Sequence, residues 1–516
     1  MNELLPFIDG KTGFTLDISG MGIRAAELQT LRQPLAAAHI EMRKIEAGAI
    51  KNPDEKRKVT HFTDRLTYTD SPLFLECEAF ARDLAAGGEI DQVLINGIGG
   101  SALGPQLLQM AANGPYWNEL DRNTRRGFPK IYFVDNTDPA GIVDALAVLN
   151  LRRSLVVTIS KSGGTQETRN NMLVVEQKYR EAGVAAAPHL VAVTMPGSEL
   201  DRHARANGWR KVFPMADSIG GRTSETNIVG HVPAALAGID FAAFVDGARQ
   251  MDVLTRAPEI EQNPAYQLAA AWYLAGNGRG DRNMVVVPYS DRLGLLGKYL
   301  QQLVMESLGK EKDLDGKIVH QGLTVYGNKG GTDAHAYIQQ LNDGRDDFFI
   351  TFIEVLRDAA SFAIADGLTM GDYLHGFKDG LVQALRQKHR RVIEIAVNSA
   401  APFNLGMLIA LYERSVAVYA ELIHVNAFHQ PGVEAYKKAS KEVNAVNLKL
   451  QAWLQTVSPL PWRGTAGQAA AALGGAEERA VAGILAKFAV NGRRCGGRAV
   501  SRRFTGTNWE YTIAKE

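Results

Sequence analysis

The loop at residues 160–165, which reads SKSGGT, has a composition that could bind a phosphate group. It follows the apolar segment SLVVTI and leads into a predicted helix. Backbone N–H groups freed by two glycines, together with the positive end of a helix dipole, favour a phosphate dianion. The candidate ligands are Ser160, Lys161, Ser162 and Thr165. The spacing is not G-x-x-x-x-G-K-S/T, so no Mg-nucleotide is predicted, and the simpler interpretation is a helix N-cap at Thr165.

A second glycine-rich segment, NGIGGS at residues 96–101, also follows a predicted strand. Its spacing satisfies G-x-G-x-x-A, which could bind a dinucleotide. A nicotinamide site needs an acidic residue about 20 positions later, at the end of the second strand. Asp135 ends that strand but lies 38 residues after Gly97, so the sequence disfavours a dehydrogenase.

Arg222 and Glu306 are candidates for charge stabilisation and proton transfer. Arg222 follows Gly221 on a glycine-rich loop, where its guanidinium could bind an oxyanion. The alternative interpretation is that Arg222 is an ordinary surface arginine. Gln302 and Glu306 are four residues apart in a helix predicted at about 293–308, so they share a face. A glutamate that points into a cleft at the end of a sheet is a candidate general base. Considered alone, it is more often a solvated helix residue.

His335 and Lys437 each lie at a predicted helix start, in the segments GNKGGTDAH and NAFHQPGVEAYK. Either side chain could transfer a proton, but a single histidine is more often structural and a single lysine more often faces solvent. The 11 histidines show neither H-E-x-x-H nor H-x-x-x-H spacing, so no built-in metal site is expected.

Short apolar strands alternate with helices over residues 92–215, and the pattern restarts at residues 283–290. Strands that are apolar throughout and separated by helices predict a parallel sheet covered on both faces. The predicted fold class is α/β, with two tandem doubly wound parallel-sheet domains, surrounding helices and a small C-terminal appendage. The predicted divisions are an N-terminal helical segment at 1–50, a first domain at 51–275, a second at 276–450 and an extension at 451–516.

The composition is that of a globular protein with packed cores. The 516 residues carry 57 Lys and Arg against 56 Asp and Glu, and 46% of them are hydrophobic. Cys77 and Cys495 are too few for a disulfide framework. No apolar run reaches the roughly 18–20 residues that cross a bilayer, and no secretory signal pattern opens the chain, so a cytoplasmic location is expected.

The extension at 451–516 is basic and rich in Ala, Gly and Arg. Two short helices and a β-ribbon would be compatible with a winged-helix-like appendage. A small packed cap with a solvated basic face is the simpler interpretation, and the net charge of +1 gives no global attraction to nucleic acid or anionic membranes. Neither is therefore expected as a partner.

Six segments occur in the order found in the phosphoglucose isomerase family: INGIGGSALGP, TISKSGGTQET, GGR, QQLVMESLGK, GTDAH and NAFHQPGVEAYKK. The chain resembles this family over about residues 50–445, which includes both sugar-isomerase (SIS) domains. The resemblance implies reversible isomerisation of glucose 6-phosphate and fructose 6-phosphate through a cis-enediolate. It also implies that no cofactor and no metal take part.

The resemblance assigns a role to each candidate residue. Glu306 would move a proton between C2 and C1, and Arg222 would orient Glu306 and stabilise the enediolate. His335 and Lys437 would open the sugar ring, with His335 supplied by the partner subunit of a homodimer. The residues implied in substrate binding are Ser101, Ser160, Lys161, Ser162, Thr165, Glu167, Gly221, Gln302 and Gln430.

Two alternatives stay open at this level. One is an isomerase of another sugar phosphate, such as mannose 6-phosphate, which differs at C2 only. The other is a non-catalytic SIS protein that binds a sugar phosphate and needs only the phosphate loop. In all three cases the expected partner is a small sugar phosphate.

Overall fold

A computed structural model describes residues 6–50, 56–365 and 367–515. The strands are β1 Phe7–Asp9, β2 Phe14–Asp17, β3 Gln92–Asn96, β4 Lys130–Val134, β5 Ser154–Ile159, β6 Leu190–Thr194, β7 Lys211–Pro214, β8 Asn283–Tyr289, β9 Lys310–Lys312, β10 Ile318–Gln321, β11 Val325–Tyr326, β12 Phe348–Val355, β13 Ala363–Ala365, β14 Leu368–Thr369, β15 Arg391–Val397, β16 Trp462–Gly464, β17 Arg494–Cys495, β18 Arg498–Phe504 and β19 Trp509–Lys515. The α-helices are α1 Ala25–Glu46, α2 His61–Asp64, α3 Pro72–Gly87, α4 Gly100–Asn113, α5 Pro139–Val148, α6 Gln166–Glu181, α7 Glu199–Ala206, α8 Ile228–Leu236, α9 Phe241–Leu254, α10 Pro264–Ala275, α11 Leu296–Leu300, α12 Ile338–Asp343, α13 Met370–Gln387, α14 Pro402–Leu422, α15 Pro431–Thr456, α16 Ala466–Ala472 and α17 Glu478–Val490. Among the described residues, no helix has the length and apolar character needed to cross a membrane.

The first sheet is parallel throughout and has the strand order β4-β3-β5-β6-β7. All six residues of β5 and all five of β6 are buried, as expected for strands that are covered on both faces. The chain passes from β3 to β4 on one side and then returns to β5 on the other. The order therefore reverses between β3 and β5, which is the position at which doubly wound sheets bind ligands.

The second sheet has the order β1-β2-β15-β12-β8-β11, in which β8, β11, β12 and β15 run parallel. β12 lies inside the sheet, where Ile350 pairs with Val285 on one side and Val392 on the other. Both sheets match the predicted α/β class with tandem doubly wound sheets, and that prediction is confirmed.

The N-terminal segment differs from the helical one predicted at 1–50. Residues 1–5 of that prediction lie outside the described residues, and α1 is helical as expected. β1 and β2 instead form a hairpin, and β2 pairs antiparallel with β15, with Leu16 opposite Ile395. Strands of three and four residues are too short to show a period of two in the sequence, and they exist because β15 offers an edge.

The helix α14 forms the centre of the main core. Its residues from Asn404 to Ala420 are all buried, and α9 and α10 pack against it. Gly247 and Gly406 allow the close approach of α9, since a Cβ at Gly406 would lie 2.0 Å from the carbonyl oxygen of Phe244.

The chain divides into two compact units, residues 1–429 and 430–516. The second unit contains α15, α16 and α17 and an antiparallel sheet with the order β16-β19-β18-β17, around a core that includes Leu485 and Ile513. The predicted boundaries at 50 and 275 fall inside the first unit. The compact division comes earlier than the predicted extension at 451, because α15 runs from 431 to 456 without a break.

Candidate active site

The loops after β3 and β5 lie at the same edge of the first sheet, where the strand order reverses. Gly99, with a φ of 59°, leads the chain into α4, and Gly163, with a φ of 75°, lies just before α6. A positive φ of this size favours glycine, because other residues pay a steric penalty there. Both glycine-rich segments predicted from the sequence thus belong to the ligand-binding edge of an open α/β sheet.

Hydroxyl groups line the loop at 160–165. The Ser160 hydroxyl accepts from the Gly163 amide (3.1 Å) and donates to Thr165 Oγ1 (3.4 Å), while the Ser162 hydroxyl accepts from the Gly164 amide (3.1 Å). Thr165 occupies the N-cap position of α6, but its side chain makes no capping hydrogen bond. The interpretation of this loop as an ordinary N-cap box therefore does not hold, and its hydroxyls are not consumed by the helix.

The ammonium group of Lys161 points to Asp217 rather than into the loop. Its Nζ lies 3.0 Å from Asp217 Oδ1 and also donates to the main-chain carbonyl of Asp217. Asp217 lies three residues before Gly220, so this pair joins the 160–165 loop to the segment that carries Arg222. Lys161 thus has an anionic partner that the sequence did not reveal.

The Gly221 main chain and the Gln302 side chain pack closely against the 97–101 loop. A Cβ at Gly100 would lie 1.6 Å from the carbonyl oxygen of Gly221, and a Cβ at Gly99 would lie 2.9 Å from Gln302 Nε2. Because the atoms that face Gly100 are main-chain atoms, this approach requires a glycine at position 100. Ser101, on the first turn of α4, is half-buried next to these contacts.

Arg222 and Glu306 form an ion pair with 3.4 Å between Arg222 Nη1 and Glu306 Oε1. The Arg222 side chain is 6% exposed and that of Glu306 is 21% exposed. Arg222 Nε donates to Ser307 Oγ (2.8 Å), and its Nη2 donates to the carbonyls of Ala427 (2.6 Å) and His429 (3.2 Å). The guanidinium is therefore held in one orientation, with its charge directed at the Glu306 carboxylate.

The helix predicted over 293–308 is present at 296–308, but it is not α-helical throughout. It consists of α11 and a π-helical segment, Gln301–Glu306, which carries both Gln302 and Glu306. π-Helical turns are rare and occur frequently at functional sites. Single-sequence periodicity cannot show such a turn, because its apolar residues Leu303 and Val304 are buried as they would be in an α-helix.

Sequence reasoning missed two residues next to Glu306. Ser307 accepts the hydrogen bond from Arg222 Nε, and Lys310 Nζ donates to the main-chain carbonyls of Glu306 (2.8 Å) and Ser307 (2.7 Å). Lys310 is 4% exposed, and burial together with the nearby Arg222 charge lowers its pKa to about 7. The only signal in the sequence was the position of Lys310 within QQLVMESLGK.

A small cavity of about 20 Å³ lies behind Arg222 and is lined in part by His61 and Glu413. His61 is buried, and both of its ring nitrogens lack a hydrogen-bond partner within the described residues. Burial, followed by the charge of Arg65, lowers the pKa of His61 well below its usual value. His61 is therefore neutral.

The remaining candidate residues of the first unit are more exposed. Glu167 lies in the first turn of α6 and is half-buried, and Gly221 is exposed. His335 is exposed at the end of a short 3-10 turn, Asp333–His335, which follows the glycine-rich loop as predicted.

Gln430 and Lys437 belong to the second unit. Gln430 is the N-cap residue of α15, and its carbonyl accepts from the Val433 amide (3.2 Å). Lys437 is exposed, and its Nζ lies 2.9 Å from Glu434 Oε1 one turn earlier.

Two doubly wound sheets with such loops at the strand reversal define an α/β protein of the SIS type. A family model described as phosphoglucose isomerase matches residues 36–374 and 380–468. The chain is 48% identical to a glucose-6-phosphate isomerase of Thermosynechococcus vestitus over 85% of this chain and 84% of that one. A glucose-6-phosphate isomerase of Geobacter sulfurreducens is 47% identical, over 91% and 90%. This chain belongs to the phosphoglucose isomerase family, as its motifs predicted.

Solved structures agree with this assignment. The crystal structure of a glucose-6-phosphate isomerase from Chlamydia trachomatis superposes with a TM-score of 0.76 at 26% identity and covers 84% of this chain and 89% of its own. A hypothetical protein from Thermus thermophilus superposes with a TM-score of 0.71 at 28% identity, over 84% and 100%.

Proposed function

We propose that this chain catalyses the reversible isomerisation of D-glucose 6-phosphate and D-fructose 6-phosphate, a reaction of glycolysis and gluconeogenesis. The observation that carries the proposal is the ion pair between Glu306 and Arg222, set where the loops of the first sheet converge. Membership of the phosphoglucose isomerase family supports the same substrate pair. The enzyme is accordingly an isomerase that moves hydrogen within one molecule.

The proton transfer from C2 to C1 is assigned to Glu306. The ionised carboxylate takes the proton from C2 of the open-chain aldose, and the resulting cis-enediolate carries negative charge on its C1 and C2 oxygens. A proton passes from the C2 oxygen to the C1 oxygen, and the same carboxyl returns the carbon-bound proton to C1, which forms the ketose. Positioned base catalysis of this kind contributes about 10²–10⁴-fold to the rate.

Arg222 is assigned to charge stabilisation. Its guanidinium is fixed by a hydroxyl and two main-chain carbonyls, so little reorganisation accompanies the build-up of charge. An interaction that is stronger with the enediolate than with the neutral sugar raises kcat rather than merely lowering KM.

The 160–165 loop is assigned to the phosphate, with Ser101 and Gln430 lining the same pocket. Glu167 and Gln302 are assigned to the sugar, and Gly221 to substrate binding. Phosphate oxygens would replace the Ser160 and Ser162 hydroxyls as acceptors for the Gly163 and Gly164 amides, and the hydroxyls could then donate to the phosphate. Because Lys161 is paired with Asp217, its contribution is a nearby positive charge rather than a direct bond. The phosphate does not react, and its binding energy anchors the sugar.

Ring opening is assigned to His335 and Lys437, with His335 contributed by the partner subunit of a homodimer in the cytoplasm. The exposure of His335 in a single chain suits a residue that completes another subunit's site. Mixing subunits tests this arrangement. If His335 acts across the interface, E306Q and H335A subunits mixed after dissociation should regain about a quarter of wild-type activity, because half the dimers are mixed and hold one intact site. Mixed dimers that show no gain would contradict it.

Removal of the Glu306 carboxylate tests the proposed reaction. A coupled assay on fructose 6-phosphate should show E306Q at least about a hundredfold lower in kcat, while the affinity for inorganic phosphate is retained. Glu311→Gln is a matched control, since Glu311 is exposed on the next strand and should leave kcat unchanged. A wild-type enzyme that forms no glucose 6-phosphate, or that prefers mannose 6-phosphate in kcat/KM, would refute the proposal.

A further inference from the structure

Lys310 is a buried cation directly behind the proposed base. Its Nζ donates to the main-chain carbonyls of Glu306 and Ser307, at 2.8 and 2.7 Å. These are the last residue of the π-helical segment and the one that follows it. The carbonyls at the C-terminal end of a helix lack partners within the helix and carry partial negative charge, so a cation is well placed there.

The burial of this ammonium group is costly. Lys310 is 4% exposed, and it shares its surroundings with the Arg222 guanidinium, which has the same charge. Glu306 is the opposing charge, and desolvation is the largest of the three effects. An apolar side chain of similar length would avoid the desolvation cost, which is offset here by the two hydrogen bonds and the Glu306 charge.

The two carbonyls belong to the residues that make the Arg222 contacts. Glu306 supplies the carboxylate at 3.4 Å from Arg222 Nη1, and Ser307 supplies the hydroxyl that accepts from Arg222 Nε. Lys310 thus binds the main-chain carbonyls of these two residues, while Arg222 binds their side chains.

We propose that Lys310 is a positioning residue for the isomerisation: by clamping the carbonyls of Glu306 and Ser307 it sets the direction in which the Glu306 carboxylate meets the substrate. This inference rests on the proposed function. Lys310 touches neither the substrate nor the reacting atoms in this arrangement, so it acts only through Glu306. The phosphate loop lies on other elements and is not affected by it.

The test compares Lys310→Met with Lys312→Met, a control on the same strand whose side chain is exposed. Because a shift of about 1 Å can cost a hundredfold in rate, kcat of K310M should fall by about 10- to 100-fold while KM for fructose 6-phosphate changes by less than about threefold. K310R, which retains the charge and the donors, should recover kcat to within about fivefold of wild type. K312M should match wild type in both constants.

A crystal structure of K310M supplies a readout that does not depend on turnover. The Glu306 carboxylate should leave its 3.4 Å contact with Arg222 Nη1. Three outcomes would each overturn the inference. The first is a K310M kcat within twofold of that of K312M, and the second is a K310M KM that rises in proportion to the loss in kcat. The third is an Arg222–Glu306 ion pair that has not moved in the K310M structure. If K310M does not fold, K310Q, which keeps an amide donor, decides by the same comparison. Failure of the proposed function would appear instead as an inactive wild type in which K310M still displaces Glu306.

Discussion

Replacing Gly100 with alanine should push apart the two loops that meet beside the proposed base. The new Cβ would lie 1.6 Å from the carbonyl oxygen of Gly221 and 2.5 Å from its carbonyl carbon, and both are main-chain atoms that cannot rotate away. Gly100 does not have a positive φ, so backbone strain adds nothing and the effect is steric. G100A therefore tests the packing of the site without removing any group that reacts.

The size of the effect follows from the displacement. Carbon and oxygen atoms that are not bonded stay more than about 3 Å apart, so the loops must separate by roughly 1.4 Å. Arg222 directly follows Gly221 and would move with it, away from the 97–101 loop. A misplacement of about 1 Å costs on the order of a hundredfold in rate, and overpacking costs about 1–3 kcal/mol in unfolding free energy.

The assay is initial-rate isomerisation of fructose 6-phosphate, together with urea denaturation. G100A should lose about a hundredfold in kcat/KM, which corresponds to about 2.7 kcal/mol of transition-state stabilisation. Gly141→Ala is the matched control, because Gly141 lies exposed within α5 and a Cβ there meets nothing within 4 Å. It should keep full activity and gain up to about 1 kcal/mol in stability. A G100A enzyme within threefold of wild type would refute the reasoning, since the loops would then not need their close contact.

Three further perturbations address other parts of the site. Gly163→Ala should raise KM with a smaller effect on kcat, because a Cβ there would lie 2.3 Å from the Leu200 amide nitrogen at a φ of 75°. If the loop does not bind phosphate, steady-state kinetics would instead show kcat and KM impaired to the same degree. Arg65→Met should lower the free energy of unfolding measured with urea by about 3–5 kcal/mol, because the fully buried Glu413 carboxylate would lose its ion-pair partner. A decrease of less than about 1 kcal/mol would contradict this. The folded pKa of Lys310 is about 7 and its usual value is near 10.5, so between these two pH values Lys310 binds fewer protons in the folded state than in the unfolded state. The unfolding free energy of wild type relative to K310M should therefore rise with pH over that window, by about 3–5 kcal/mol. A difference that does not change with pH would argue against the lowered pKa.

The parts of the site that could be predicted from sequence are those set by local order along the chain. The loops at 97–101 and 160–165 follow buried strands directly, and parallel strands bring their carboxyl ends to one edge of a sheet. Their glycines also mark turns whose φ values are positive, as at Gly99 and Gly163. The fold class followed from the same pattern of apolar strands and helices.

The parts that could not be predicted depend on contacts between distant segments. The partner of Lys161 is Asp217, and the burial of Lys310 depends on packing that no residue type announces. The hairpin of β1 and β2 depends on the pairing of β2 with β15, which is far away in the sequence. Whether Gln302 and Glu306 share a face could be inferred from spacing, but the π-helical turn that carries them could not.

The geometry around Arg222 supports the proposal that one carboxylate serves both halves of the reaction. In the proposed reaction, Glu306 takes the C2 proton, negative charge leaves the carboxylate and appears on the enediolate oxygens, and the total charge of the site does not change. Arg222 is held by Ser307 and by main-chain carbonyls, and it can therefore stabilise the charge at both places without moving. In this proposal the charge migrates only within reach of a fixed cation, so the Arg222 and Lys310 contacts are expected to influence the rate by holding that geometry.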